Sequence, residues 1–129
     1  MDQYQQLREM TMAWNQAWNS RDAQKLAAFF GEGSTYYEPD LSTGPVPGAQ
    51  GVAEAAEKTW ADWPSAEFSV VSMTIEASRV VLEWKSSATH HTGKTVQLEG
   101  VDILQWNGVH LESARVYYDE HSRQKQLKD

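Results

Sequence analysis

The sequence predicts a single α+β domain over residues 1–129, in which three N-terminal helices cover one face of an antiparallel sheet. Three observations lead to this fold class. Apolar residues recur every three or four positions in the N-terminal part of the chain, as in helices. From Glu67 onward apolar and polar residues alternate, as in strands with one buried face. The dipeptide Asn107–Gly108 is a strong signal for a tight hairpin turn.

The helical part divides into three segments. The first, Asp2–Asn19, carries an apolar face made of Tyr4, Leu7, Thr11, Trp14 and Trp18. Asp22 is a suitable N-cap for a short second helix, which we expect to end at the glycines of "GEG" (31–33). A short extended piece, Thr35–Glu38, follows, because a residue that precedes proline favours extended geometry. After a loop over 39–50, a third helix is predicted from about Gly51 to Asp62.

The second half of the chain contains four predicted strands. We expect turns between them around Ser78, around Gly93 and at Asn107–Gly108. A short polar tail closes the chain, and Asp119 is expected to cap it. The strands correspond to "EFSVVSMTIEA", "RVVLEWKSSATHH", "TVQLEGVDILQW" and "VHLESARVYYD".

Composition excludes several classes of function. A net charge of −7 argues against nucleic acid or an anionic membrane as partner, since both require clustered Lys and Arg. The absence of cysteine excludes disulfides and thiolate chemistry, and the four histidines lack the spacing of a helical metal motif, so we expect no metal. The chain shows no signal-peptide pattern and no apolar run near 18 residues, which predicts a cytoplasmic protein.

One carboxylate lies on an otherwise apolar strand face. Successive side chains alternate across a strand, so the even positions of the third strand share one face, and Asp102 is the charged residue on it. Burial raises the pKa of an unpaired carboxyl, unless a hydrogen-bond donor stabilises its ionised form. A carboxyl with a perturbed pKa suits general acid/base chemistry. The alternative is a structural role, in which Asp102 pairs with a cation such as Arg115 or caps backbone groups.

Turn chemistry gives an estimate of the strand register. With the turn centred on Gly93, opposite positions sum to about 186, which places Asp102 near Trp84 and His90 near Val96. His90 would then lie on the same face as Asp102, closer to its rim. The adjacent residue is also a histidine, His91, which indicates that this end of the strand is polar and solvated. His90 is therefore a weaker candidate than Asp102.

Aromatic residues are the candidates for lining a pocket. Trp carries a large apolar surface and a single N–H donor, so it is common in cores, interfaces and pockets for flat ligands. The residues at 14 and 18 fit a core role as well as a pocket role, and Tyr36 and Tyr37 point to opposite faces. The candidate substrate-binding residues are Trp14, Trp18, Tyr36, Trp60, Trp84 and Trp106.

The chain as a whole resembles the SnoaL-like polyketide cyclases and, more widely, the nuclear transport factor 2-like superfamily that includes ketosteroid isomerases. The resemblance rests on the order and spacing of "AWNSRDAQKLAAFF", "YYEP", "ATHHTG", "EGVDILQWNGVHL" and "YYDEHSRQKQL". It implies a cone-shaped, cystatin-like α+β roll: a curved, antiparallel or mixed sheet wrapped around the three helices, with a pocket beside the extended piece. It also implies a homodimer that works without a cofactor.

The resemblance also suggests roles for individual residues. Glu38 stands where ketosteroid isomerases have the aspartate that shuttles the proton, and Asp102 stands where they have the acid that binds the oxyanion. Asp102 and His90 match the acid/base candidates of the cyclases. Trp14 replaces the isomerase tyrosine that donates to the oxyanion. Gly100 stands where epoxide hydrolases of this fold carry the arginine of an Arg-x-Asp signature, which reads Gly100–Val101–Asp102 here.

These observations predict an enzyme that moves protons on a hydrophobic, cyclic or carbonyl-bearing small molecule, as an isomerase or cyclase does. Glu38 would act as the base, Asp102 as the acid, and His90 or Tyr36 as an orienting donor. The alternative is a module of the same fold that binds a small ligand, or dimerises through its sheet, without turnover.

Overall fold

The computed structural model describes residues 2–39, 41 and 44–128 of the chain. Its strands form one curved sheet in the order β2-β1-β6-β5-β4-β3, with β1 parallel to β6 and the other neighbours antiparallel. This architecture confirms the predicted α+β class. The elements are α1 (Gln3–Asn19), α2 (Ala23–Ala28), β1 (Phe30–Tyr37), β2 (Val46–Pro47), α3 (Gly48–Asp62), β3 (Ser65–Glu76), β4 (Arg79–Thr89), β5 (Thr95–Asn107), β6 (His110–Tyr118) and α4 (Glu120–Leu127).

Aspartate side chains cap three of the helices. Asp22 accepts a hydrogen bond from the Lys25 backbone N–H at 3.0 Å, as predicted for the start of α2, and Asp2 caps α1 in the same way. Each cap satisfies a backbone donor that the first helical turn leaves without a partner. The third helix begins at Gly48, a little earlier than the sequence suggested, directly after the two-residue strand β2. Three positions of the preceding loop, Asp40, Ser42 and Thr43, lie outside the described residues.

The "GEG" segment does not end a helix, and this prediction was wrong. Helix α2 ends at Ala28, and the segment belongs to β1, where the pairing with β6 shifts register between Phe30 and Thr35. Gly33 has φ 82°, a conformation that side chains disfavour, so glycine here permits a bulge rather than a helix stop. The Ser34 hydroxyl stabilises it by accepting from the Gly31 N–H and donating to a backbone carbonyl of β6.

The C-terminal segment is also more ordered than predicted. It forms α4, which begins after Asp119, the cap that the sequence suggested. The helix has no apolar stripe, and none of its described residues is fully buried, so hydrophobic periodicity could not reveal it. Polar contacts attach it to β5: the Gln126 side chain accepts from the Gln97 N–H at 2.9 Å and donates to the Gln97 carbonyl at 2.8 Å.

The helices pack on the face of the sheet that carries the even-numbered residues of β4 and β5, as expected from parity. Along β5 this face is formed by buried or half-buried residues from Val96 to Trp106, with Asp102 among them. The register estimate was wrong by two: Leu82 lies opposite Asp102, and Trp84 lies opposite Gly100. The turn closes around Thr92, not Gly93, because the His90 N–H donates to the Lys94 carbonyl. A register shift of two residues leaves each side chain on the same face of the sheet, so Asp102 and Trp84 remain neighbours.

None of the helices among the described residues combines the length and apolarity needed to cross a membrane.

The core lies between the helices and the sheet. Trp14 and Leu26 from the helices pack against Leu82, Leu104 and Leu111 from the sheet, and all of these side chains are buried. This core fills the cup formed by the curved sheet, except at one end.

Candidate functional site

A small cavity of about 90 Å³ remains between the concave face of the sheet and helices α1 and α3. Its wall is largely apolar and aromatic, with two carboxylates, Asp102 and Glu38, among the lining residues. Such a cavity, apolar with a few convergent polar groups, is typical of small-molecule sites. The other lining residues are Asn15, Trp18, Tyr36, Thr59, Trp63, Ala66, Phe68, Trp84, Ser86, Ala88, Val96, Leu98, Val116, Tyr118 and Arg123.

Asp102 lies on the floor of this cavity between two indole rings. Its Oδ2 accepts a hydrogen bond from Trp14 Nε1 at 2.9 Å, and its Oδ1 accepts one from Trp84 Nε1 at 2.7 Å. The side chain is buried, with 6% of the residue exposed. Arg115, which the sequence suggested as an ionic partner, is exposed and donates instead to the Tyr117 hydroxyl. The donors to Asp102 are therefore neutral side chains.

Burial without a cation changes the protonation of Asp102. Desolvation raises the pKa of the carboxyl from 3.8 to about 6, while the hydrogen bonds from Trp14 and Trp84 act in the opposite direction. An indole N–H stabilises the carboxylate as a donor but supplies no positive charge, so it offsets only part of the desolvation. The result is a carboxyl that changes its protonation state close to neutral pH.

Gly100 makes this arrangement possible. It lies opposite Trp84 in the β4–β5 ladder, and the Trp84 ring extends across it towards Asp102. A Cβ atom at position 100 would lie 2.2 Å from Cζ2 of Trp84, which no ring in this position can accept. Glycine here thus gives the indole the space from which it reaches the carboxylate.

Glu38, which directly follows β1, is the second carboxylate of the cavity and is buried, with 7% of the residue exposed. The Tyr36 hydroxyl donates to its Oε1 at 3.4 Å, and the Tyr118 hydroxyl donates to its Oε2 at 3.3 Å. Burial and then the charges of Glu38 and Asp102 raise the pKa of Tyr36 well above its usual value. Tyr36 therefore remains a neutral O–H donor, and it interacts electrostatically with both carboxylates.

His90 lies outside this cavity. It follows the last residue of β4, its Nδ1 is 2.9 Å from the Thr92 hydroxyl, and its ring packs at 4.8 Å against Trp63. It lines a second, larger cavity beyond Trp63. The position results from the hairpin turn, in which His90 closes the loop and no longer continues the strand.

The six aromatic candidates divide into two groups. Trp18, Tyr36 and Trp84 line the cavity. The other three pack behind its wall: Trp14 supports Asp102, Trp60 contacts the edge of Trp18, and Trp106 donates to the Thr11 hydroxyl at 3.2 Å.

Several lining residues were missed in the sequence, and three of them bear on the chemistry of the site. Tyr118 shares a strand face with Val116, so alternation along β6 pointed to it. Trp63 follows α3 directly, and a buried Trp at a helix end gives no local signal of a pocket. Arg123 belongs to α4, whose existence the sequence did not indicate. Among the described residues, no group of three or more His, Cys, Asp or Glu is arranged to hold a metal ion.

Replacing Trp84 by Phe is expected to raise the pKa of Asp102 further. The change removes one of the two N–H donors that favour the ionised carboxyl, a bond that is worth about 1–2 pKa units for a charged acceptor. Site-resolved NMR titration of the Asp102 carboxyl would measure the shift. Trp106→Phe is the matched control, because it removes a buried indole N–H that serves Thr11. An equal pKa in the W84F and W106F variants would contradict the role of the indole.

The family model of the SnoaL-like domain matches residues 12–109. No curated protein sequence matches the chain. Among solved structures, a protein from Xanthomonas campestris pv. campestris described as a polyketide cyclase is similar with a TM-score of 0.86 and 18% identity, over 96% of this chain and 98% of that one.

Two further structures show the same fold. A protein of ketosteroid isomerase-like fold from Catenulispora acidiphila, in complex with trimethylamine, has a TM-score of 0.81 and 19% identity over 92% of this chain and 91% of its own. AclR from Streptomyces galilaeus, described as a hydroxylase, has a TM-score of 0.80 and 21% identity over 96% of this chain and 87% of its own. At this level of identity the similarity establishes the fold, which is the one that the sequence resemblance implied.

Proposed function

This chain belongs to the SnoaL-like domain family, and on that premise we propose that it is a cofactor-independent general acid/base enzyme. Its substrate would be a hydrophobic, cyclic or carbonyl-bearing small molecule, and its reaction would be a proton transfer of the isomerase or cyclase type. The observation that carries this proposal is Asp102, a buried carboxyl on the floor of an apolar cavity with a pKa of about 6.

The pKa of Asp102 makes it the base of the proposed reaction. With a pKa of about 6, roughly nine carboxyls in ten are ionised at pH 7. An ionised carboxylate accepts a proton, and a pKa close to the working pH also lets it return that proton. This assignment exchanges the roles that the sequence suggested, in which Glu38 was the base and Asp102 the acid.

The two tyrosines would stabilise the negative charge that develops on the substrate. Their hydroxyls lie 3.3–3.4 Å from the Glu38 oxygens, longer than the usual distance of about 2.7–2.8 Å between hydroxyl and acceptor. A carbonyl oxygen in the cavity can therefore compete for one of these donors at small cost. Glu38 would keep the hydroxyls of Tyr36 and Tyr118 directed towards the cavity.

The proposed step is the removal of a proton from the carbon next to a carbonyl group. The Asp102 carboxylate takes the proton, the C–H electron pair forms the enolate, and a tyrosine O–H donates a hydrogen bond to the enolate oxygen. Asp102 then returns the proton to another position of the substrate. His90 has no part in this step, because it lies beyond Trp63.

Deuterium exchange tests the proposal without knowledge of the natural substrate. Cyclohex-2-enone and acetone would be incubated with the protein in D₂O, and loss of the α-proton signals would be followed by NMR. We expect exchange at least about 10²–10⁴-fold faster than in buffer, with a rate that increases as the pH passes about 6 and Asp102 becomes ionised. A ketone that binds in the cavity without accelerated exchange would instead support a ligand-binding module.

A further inference from the structure

A second, larger cavity, which we call the outer groove, lies next to the cavity above Asp102. This groove has a volume of about 630 Å³ and lies between α3, α4 and the segment around β2. Four residues line both the cavity and the groove, and we call them the neck: Glu38, Thr59, Trp63 and Arg123. The two spaces are therefore neighbours, and these four side chains form the boundary between them.

The inner cavity has room for one ring at most. Its volume of about 90 Å³ is smaller than the apolar cavity of about 150 Å³ that holds a single benzene molecule in an engineered protein core. A larger compound that reaches Asp102 must therefore leave part of itself in the neck or beyond it. The outer groove, in contrast, is within the range of about 300–1,000 Å³ that is typical of small-molecule sites.

The two spaces differ in chemistry. The floor of the inner cavity is formed by apolar side chains of the sheet, such as Leu98 and Val116. The outer groove combines apolar residues such as Leu41 and Val46 with hydrogen-bonding amides and charges of both signs. Its polar residues are Gln50, Glu54, Lys58, Asp62, His90 and Gln124. The outer groove thus suits a polar segment with several hydrogen-bonding groups.

Arg123 fixes one side of the neck. Its guanidinium forms an ion pair of 2.6 Å with Glu120 and lies over the Tyr118 ring at 5.2 Å from the centroid. The helix that carries it is attached to β5 through Gln126 and Gln97. Arg123 also brings a positive charge to the point where the polar segment of a ligand would begin.

We propose that the ligand is a single-ring compound with a polar, hydrogen-bonding arm, whose ring occupies the inner cavity and whose arm passes the neck into the outer groove. This inference rests on the proposed function, because it takes Asp102 as the site at which the ring reacts. It narrows the substrate class from any hydrophobic carbonyl compound to one with distinct apolar and polar ends. It also makes the groove residues determinants of affinity and specificity.

Three phenols test the proposal: phenol, 4-(2-hydroxyethyl)phenol, which adds a polar arm, and 2-naphthol, which adds a second ring. Binding would be followed through the carboxyl carbon shift of Asp102, so that only occupancy of the inner cavity is counted. We expect the armed phenol to bind about tenfold more tightly than phenol. Binding of 2-naphthol more tightly than the armed phenol would overturn the proposal.

Variants that fill the outer groove with a larger side chain test whether the polar arm of the ligand binds there. Gln50 and Gln124 are exposed residues on α3 and α4 that line the outer groove, so a larger side chain is tolerated there without disturbing the core. Gln50→Trp and Gln124→Trp are expected to remove the advantage of the armed phenol and leave phenol affinity unchanged. Ala49→Trp is the matched control and should preserve the advantage, because Ala49 is an exposed residue of α3 that does not line the groove.

The outcomes separate this inference from the proposed function. If phenol shifts the Asp102 signal but the arm adds no affinity, the assignment of the outer groove is overturned and the acid/base site stands. If the arm adds affinity that Gln50→Trp and Gln124→Trp do not reduce, the arm binds elsewhere and the assignment is again overturned. If none of the three phenols changes the Asp102 signal, the inner cavity is not a ligand site and the proposed function fails with it.

Discussion

Replacing Asp102 by Asn is expected to lower the rate of α-proton exchange by about 10²–10⁴-fold, the usual contribution of a positioned acid/base group. The amide has nearly the shape of the carboxyl but cannot accept the proton. Ligand affinity should change little, since the cavity wall remains in place. The measurement is the deuterium exchange rate of a bound ketone in both proteins.

Glu38→Gln is the matched control for this variant. It removes the other carboxylate of the cavity and keeps an amide oxygen for the tyrosine hydroxyls. We expect a loss of about 10–100-fold, as for one weakened hydrogen bond to a charged group. A D102N protein that keeps its exchange activity, beside an inactive E38Q protein, would contradict our assignment and return the role of base to Glu38, as the sequence suggested.

The same Asp102→Asn variant is expected to change how stability depends on pH. The folded state raises the pKa of Asp102 from 3.8 to about 6, so the native protein binds this proton more tightly than the unfolded chain. The stabilisation is complete below about pH 4 and is lost as the pH rises through 6, which amounts to about 3 kcal/mol.

Urea denaturation of both proteins at pH 4, 5, 6 and 7 measures this effect. Other titrating groups are common to the two proteins and cancel in the difference between their free energies of unfolding. The stability of D102N relative to wild type should therefore increase by between about 2 and 3 kcal/mol from pH 4 to pH 7. A difference that stays constant with pH would mean that Asp102 titrates alike in the folded and unfolded states.

Gly100→Ala is expected to destabilise the protein and to displace the Trp84 ring. The added Cβ would lie 2.2, 2.5 and 2.7 Å from three ring atoms of Trp84, so the buried indole must move away from Asp102. Overpacking of this kind costs about 1–3 kcal/mol, and the weakened Trp84–Asp102 hydrogen bond adds to it. Urea denaturation at pH 7 would measure the loss.

Gly31→Ala serves as the control for this substitution. Gly31 is also a strand glycine, but a Cβ there meets only the Ser34 hydroxyl oxygen, at 4.0 Å. Alanine should change the free energy of unfolding by no more than about 0.5 kcal/mol. Equal losses in G100A and G31A would show that the Trp84 ring does not depend on the glycine opposite it.

Much of the fold could be predicted from the sequence because local signals agreed with the tertiary structure. The apolar face of α1, the Asp22 cap and the hairpin after Asn107 each depend on neighbouring residues alone. The hairpin turn itself lies one residue later than predicted, at Gly108 and Val109, because Asn107 still pairs with His110. The polar helix α4 and the bulge in β1 were missed, since both are held by contacts with distant strands: Gln126 with Gln97, and the Ser34 hydroxyl with the Leu111 carbonyl.

Less of the candidate site than of the fold could be predicted from the sequence. Parity alone placed Asp102 on the buried face near Trp84, and this holds because a register error of two residues leaves the face unchanged. The bond from Trp14 to Asp102 joins residues 88 positions apart, which no pattern in the sequence encodes. The division into an inner cavity and an outer groove depends on how α4 brings Arg123 to the neck.

Titration of the Asp102 carboxyl, by carbon-detected NMR in the free protein and with phenol bound, distinguishes a proton-transfer group from a structural carboxylate. We expect a pKa of about 6 in the free protein and a change in the carboxyl signal when phenol enters the cavity. A pKa near the reference of about 4, with a signal that phenol does not move, would contradict this expectation. Asp102 would then be a structural acceptor for two indoles and not a proton-transfer group.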